Sequence, residues 1–155
     1  MVKLDQIDCQ ILKILQTDGK ITNSALAERL KLTTTPVFER IKKLEQGGII
    51  KKYVALLDQK KVGKNLIVFI SISLKNHARS YLEKFVKTID EYDEITECYH
   101  IAGNFDFLLK VQLKDMEAYQ QFLLSKLSVN INIAKVQSSF VLSKNKYTTA
   151  LAMQA

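Results

Sequence analysis

Apolar residues recur at helical spacing three times in the first third of the chain. Ile7, Ile11, Ile14 and Leu15 form the first stripe, Leu26, Ala27 and Leu30 the second, and Val37, Ile41 and Leu44 the third. A short polar side chain stands before each stripe, able to accept from first-turn N–H groups that have no helical partner: Asp5, then Thr22 or Asn23, then Thr33. Asp8 suits the positive end of the first helix, and Asp18-Gly19-Lys20 makes a turn after it. Lys31-Leu32 close the second helix. Pro36 falls in the first turn of the third, where its missing N–H costs nothing, and Gly47-Gly48 supply a left-handed stop. Ile49 to Tyr53 is then predicted as a strand carrying a basic pair, like the wing of a winged helix. Tyr53 to Leu57 is predicted to pair with it.

Beyond a polar connector at 58–64 the pattern changes to alternation. Leu66, Val68, Ile70, Ile72 and Leu74 mark one face of a strand over 65–74. A helix over 79–92 turns Leu82, Phe85, Val86 and Ile89 inward. Two strands, 95–102 and 105–113, flank a Gly-Asn turn, which is a hairpin signal. Asp115 caps a helix that buries Met116, Tyr119, Phe122, Leu123 and Leu127; a long strand over 133–142 follows, and 144–155 is a tail or edge strand. Strand-helix-strand-strand-helix-strand is the ferredoxin-like βαββαβ order. The predicted class is therefore α+β: a winged helix-turn-helix domain over 1–57, a connector over 58–64 and a ferredoxin-like domain over 65–155. Ile67, Phe69, Leu108 and Val141 make the opposite sheet face apolar as well. Helices cover only one face of such a sheet, so a second subunit is expected on the other, giving a homodimer.

Two capped helices joined by a tight polar turn match the DNA-binding helix-turn-helix. At about 100° per residue, Thr35, Glu39, Lys42 and Gln46 fall opposite the buried stripe of the second of these helices. Lys43 flanks them and Phe38 sits at the border. A recognition helix needs a short polar first turn for base edges and basic flanks for phosphates. Thr35, Glu39 and Lys42 are thus expected to face the major groove of double-stranded DNA, with Lys43, Lys51 and Lys52 on phosphates; Thr33 and Thr34 complete the expected DNA-binding set. Taken singly, each lysine would be no more than a solvated charge.

Charge changes this picture little and supports it. The net charge is +7 over 155 residues, with +4 of it in residues 1–60, the smaller part. A hydrophobic content of 47% builds real cores and excludes a disordered chain. The longest apolar run, Leu66 to Ile70, is too short to span a bilayer, and MVKLDQID has no apolar signal region, so a cytoplasmic protein without membrane contact is expected. Cys9 and Cys98 lack paired metal spacing. Cys98 and His100 share one side of a strand, but two ligands do not close a zinc site. The acidic run Asp90-Glu91-x-Asp93-Glu94-x-x-Glu97 lacks the glycine-turned spacing of a calcium loop. With no phosphate loop, nucleophile motif or acid–base pair, neither enzyme activity nor a cofactor nor a metal is expected. Asp106 is the exception that asks for a role. It stands between Phe105 and Phe107, where an unpaired carboxylate is costly, and could hold the ammonium of an amino acid beside free loop amides.

The motifs Leu4-Asp5-x-x-Asp8-x-x-Ile11-Leu12, Leu26-Ala27-Glu28-Arg29 and Pro36-Val37-x-x-Arg40-Ile41-x-x-Leu44-x-x-x-Gly48-Ile49-Ile50 resemble the Lrp/AsnC, or feast/famine, regulators. So do Gly103-Asn104-Phe105-Asp106-Phe107-Leu108-Leu109-Lys110 and Ser138-Ser139-Phe140-Val141-Leu142. The resemblance runs through nearly the whole chain. It implies a transcription regulator whose dimers assemble further, often to octamers. It also implies an amino-acid effector pocket between dimers, built from Gly103, Asn104, Phe105 and Asp106 with Ser138 and Ser139. The chain departs from the family's Leu-Pro-Gly-Val-like turn before the last strand, having Asn130-Ile131-Asn132-Ile133 instead; Asn132 can adopt the left-handed conformation that such a turn needs. Two rival functions use the same sequence: an architectural DNA-wrapping protein without effector, and an amino-acid-handling enzyme, against which the missing catalytic groups argue.

Overall fold

Asp5 opens the first helix of the computed structural model, which describes residues 3–130 and 132–153. Its carboxylate accepts from Asp8 N–H at 2.8 Å while Asp8 returns the bond to Asp5 N–H at 3.2 Å, a reciprocal cap. This helix, α1 (Gln6–Leu15), packs with α2 (Asn23–Leu30) and α3 (Thr34–Gln46). Thr22 caps α2 through Ala25 N–H. Ile11, Leu12, Leu26, Ala27, Val37, Ile41 and Leu44 form the buried centre. Removing a Leu or Ile from such a centre costs about 2–5 kcal/mol. Gly48, at φ +69°, makes the stop after α3; Gly47 is still right-handed. Lys31 ends α2 in the left-handed region at φ 56°, the only described non-glycine residue there.

Three expectations for this part are corrected. Thr33 stands at the N-cap of α3, but its hydroxyl makes no capping bond. Lys51 to Asp58 is neither strand nor helix, so the wing and its pairing are not formed. A strand gains its ladder bonds only from a partner, and none runs beside this one among the described residues. The tail, grouped by sequence with the second domain, belongs to the first unit, which comprises Met1–Leu56 and Lys146–Ala155. Met153 packs against the three-helix core, and the Gln16 amide holds both main-chain groups of Leu151, accepting at 2.6 Å and donating at 3.1 Å.

The second unit, Leu57–Asn145, carries β1 (Leu66–Leu74), α4 (Arg79–Asp90), β2 (Ile95–His100), β3 (Phe107–Leu113), α5 (Met116–Phe122) and β4 (Ile133–Phe140). The strands are antiparallel in the order β2-β3-β1-β4, the ferredoxin-like arrangement. Alternate residues of β1 and β3 are buried, and Phe85 of α4 meets Phe107 with ring centroids 4.7 Å apart. Asp115 caps α5 at Ala118 N–H. Val86 and Met116, expected inward, are exposed. Val86 lies beside the stripe formed by Leu82, Phe85 and Ile89, and Met116 begins its helix, before the turn that meets the sheet.

The hairpin between β2 and β3 is wider than its Gly-Asn signal suggests, leaving residues 101–106 as a loop. In the turn before β4, Asn132 is fixed by hydrogen bonds. Its side chain accepts from Asn76 N–H at 3.1 Å and donates to Asn76 O at 3.3 Å, and its carbonyl accepts from Lys75 N–H at 2.7 Å. These bonds hold the turn before β4.

Candidate functional site

The outer face of α3 is polar and unpaired. Thr33, Thr34, Thr35, Glu39, Lys42 and Lys43 are all exposed, and none of these side chains forms an ion pair or hydrogen bond among the described residues. Thr34 and Thr35 have first-turn N–H groups without helical acceptors, and Pro36 has none to leave open. The free Thr33 hydroxyl stands beside them. A helix end with free donors and no acidic residue in its first turn favours an anion. Lys51 and Lys52 follow the Gly48 stop and are exposed. Next to them Tyr53 bends back over α3, its hydroxyl donating to Glu45 Oε1 at 3.0 Å. Burial and the Glu45 carboxylate push the Tyr53 hydroxyl up to about 12.

Sequence reasoning gave Arg40 no role beyond its place in a motif. Its guanidinium Nη1 donates to Asp5 at 2.6 Å and to Asp8 at 2.7 Å, so the cap of α1 doubles as the anchor of α3. The Asp8 amide and then Arg40 hold the Asp5 carboxyl below its ordinary value, and the two carboxylates raise Arg40. Arg40 thus positions α3 from behind. The signal was present in the Asp5-x-x-Asp8 spacing, but the partner lies 35 residues away.

The loop between β2 and β3 holds the second group of candidates. Asp106 is already engaged: its carboxylate accepts from Leu74 N–H at 2.7 Å and lies 3.0 Å from His77 Nε2. Asp106 N–H also donates to Ile72 O, and Ile101 N–H to Asp106 O, which pins both ends of the loop. Between these pins, the N–H groups of Ala102, Gly103, Asn104 and Phe105 have no acceptor among the described residues. Gly103, at φ +138°, has open space where a Cβ would point. Lys135 lies 5.0 Å over the Phe105 ring, so it is Lys135 of β4 that neighbours the loop. Ser138 and Ser139 lie further along, opposite Ile70 and Phe69. They face opposite sides of the sheet: Ser138 meets the Tyr119 hydroxyl at 2.6 Å on the helical side, and Ser139 lies on the open side. Within one chain the loop and the serines are therefore not one pocket.

The open sheet face carries Ile67, Phe69 and Leu108, partly buried, and Tyr99, half exposed. Lys110 and Glu97 pair on it. Glu94 of the acidic run is likewise paired, bonded to Lys126 at 2.8 Å. Among the described residues no group of three or more acidic, His or Cys side chains is placed to hold a metal. No described helix is long and apolar enough to cross a membrane.

A three-helix head with a cationic outer helix, followed by a ferredoxin-like unit with an amide-rich loop, defines a helix-turn-helix DNA-binding protein with a ligand-binding domain. Comparison with known proteins makes the class particular. Residues 4–51 match the family model of winged helix-turn-helix DNA-binding domains, and residues 67–151 match that of the Lrp/AsnC ligand binding domain. The chain is 38% identical to the DNA-binding transcriptional activator DecR of Escherichia coli K12 over 97% of this chain and 99% of DecR. It is 42% identical to the leucine-responsive regulatory protein of the same organism over 77% of this chain and 73% of that one. Among solved structures, a Neisseria meningitidis transcriptional regulator in complex with L-Met matches with a TM-score of 0.93, at 37% identity and 97% coverage of both chains. An AsnC family regulator from Agrobacterium tumefaciens matches with a TM-score of 0.92, at 38% identity over 96% of this chain and 97% of that one. The chain belongs to the Lrp/AsnC family of DNA-binding transcriptional regulators. These relatives are transcriptional regulators.

Proposed function

We propose that this regulator reads double-stranded DNA as a homodimer in the cytoplasm, through Thr33, Thr34, Thr35, Glu39 and Lys42, with Lys43, Lys51 and Lys52 on phosphates. The observation that carries this reading is the unpaired cationic face of α3, held from behind by the Arg40 anchor. The open, partly apolar sheet face supports dimerisation, and the segment from Val54 to Leu57, without ladder bonds, offers a strand to a second copy. Higher assembly to octamers follows the family resemblance.

An amino acid is the proposed effector. Its carboxylate would take the free amides of residues 102–105. Asp106 braces the loop, and Ser139, on the open face, joins the pocket only from another copy. The test has two arms. Changing Lys42 and Lys43 together to Ala should weaken binding to all sequences and lower the salt slope by about 0.9 for each phosphate no longer neutralised. Calorimetry with the twenty amino acids should find at least one ligand. Unchanged DNA binding by the double variant would falsify the α3 placement, and a protein that binds none of the amino acids would turn the reading toward an architectural DNA-wrapping role.

A further inference from the structure

A cavity of about 540 Å3 opens on the helical side of the second unit, between α4 and the segment leading from α5 to β4. Its origin is local. α5 ends at Phe122 and the chain widens into a π-type turn, Leu123–Leu127, with Ser128 N–H donating back to Leu123 O at 2.9 Å. A π turn takes in more chain per turn than an α-helix and shifts the residues beyond it. Val129, Asn130 and Asn132 come next, and they form one wall of the cavity. The rim is then tied shut on one side by the Asn132 bonds to Lys75 and Asn76. Those bonds hold the Asn132 wall of the cavity against the Lys75 and Asn76 wall.

The polar part of the lining is neutral or cationic, with Asn76, Thr88, Asn130 and Asn132 contributing neutral groups. Phe85, Tyr92 and Val129 give it an apolar wall. Lys75, Lys84 and Tyr81 line it too, and no hydrogen bond or ion pair engages their side-chain ends among the described residues. Among the described residues no carboxylate lines it. Two cationic donors and a hydroxyl beside an apolar wall suit an anion with an apolar body. An ammonium would meet two like charges there and no acidic partner. We propose that this cavity binds a small carboxylate that has an apolar body and no amino group, such as an α-keto acid. It is a separate site, since no residue of the 101–106 loop lines it. An α-keto acid keeps the side chain of an apolar amino acid and replaces the amine by a carbonyl. A protein with both sites compares an amino acid with its deaminated counterpart.

Calorimetry on the full-length chain tests this with α-ketoisocaproate and leucine as probes. The keto acid should bind, and leucine should be at least roughly tenfold weaker in competing for the same site. The double change Lys75→Gln and Lys84→Gln, at two exposed positions, should weaken the keto acid by roughly tenfold or more while leaving any amino acid at the loop unaffected. Thr88→Phe, which fills the cavity from α4, should block the keto acid independently. Failure of the wild type to bind the keto acid overturns the inference, as does equal binding by the Lys75/Lys84 variant, or leucine competing equally well. If amino acids bind and the keto acid does not, only this inference falls. If neither class binds, the sensing role proposed above falls with it.

Discussion

Replacing Asp106 by Ala removes the acceptor of a 2.7 Å bond from Leu74 N–H, at a residue only 3% exposed where water is a poor substitute. A buried donor left without its partner costs about 1–3 kcal/mol, toward the upper part when the acceptor removed was charged. The His77 contact adds little, because that side chain is 61% exposed and screened. A destabilisation near ~2 kcal/mol is therefore expected. For a unit of the size of 57–145, that lowers the midpoint of thermal unfolding by roughly 8–16 °C. Circular dichroism and urea unfolding should agree on it. Asp106→Asn keeps an oxygen for the Leu74 amide and should recover most of the stability. An Ala variant within about 0.5 kcal/mol of wild type would refute the brace. If that stable variant also failed to bind an amino acid, the carboxylate would belong to the ligand and not to the loop.

Two further outcomes are expected. Burial pushes the Glu94 carboxyl up, but the Lys126 bond, its own amide and the charges of Lys126 and Lys64 outweigh this and hold it below its ordinary 4.5; Lys110 and then Tyr99 lower Glu97 likewise. Carboxylates lowered in the folded state contribute stability that is full above that ordinary value and is lost as the pH falls through the lowered one, so acid unfolding should begin below it, and Glu94→Gln should flatten the pH dependence there. Lys31→Gly should stabilise the head by about 1 kcal/mol, since a left-handed φ of 56° suits glycine without the Cβ clash; chemical denaturation reads it, and a destabilised variant would show that the Lys31 side chain matters more than its backbone.

The helices and the sheet were legible because their signals are local. Asp5, Thr22 and Asp115 cap the helices they precede, and the alternation in β1 and β3 sets the buried face. The features that sequence reading missed depend on distant partners. The strands expected at Ile49 to Tyr53 and Tyr53 to Leu57 have good residues, but neither forms a ladder among the described residues. Asp106 reads as an unpaired carboxylate until β1 brings the Leu74 amide to it, 32 residues away in sequence. Ser138 and Ser139 are adjacent in the chain, and a strand puts adjacent residues on opposite faces. The cavity beside α4 has no sequence signature at all, because a π turn is set by packing and not by periodicity.

The clamp of Gln16 on Leu151 also sets an order of events during synthesis. The three helices of the head leave the ribosome first, yet the piece that covers their core includes Met153 and is joined to Gln16 across 135 residues of sequence. The second unit is complete in sequence by residue 145, before that piece exists as free chain. The DNA-binding head, although made first, is thus finished after the unit that comes behind it.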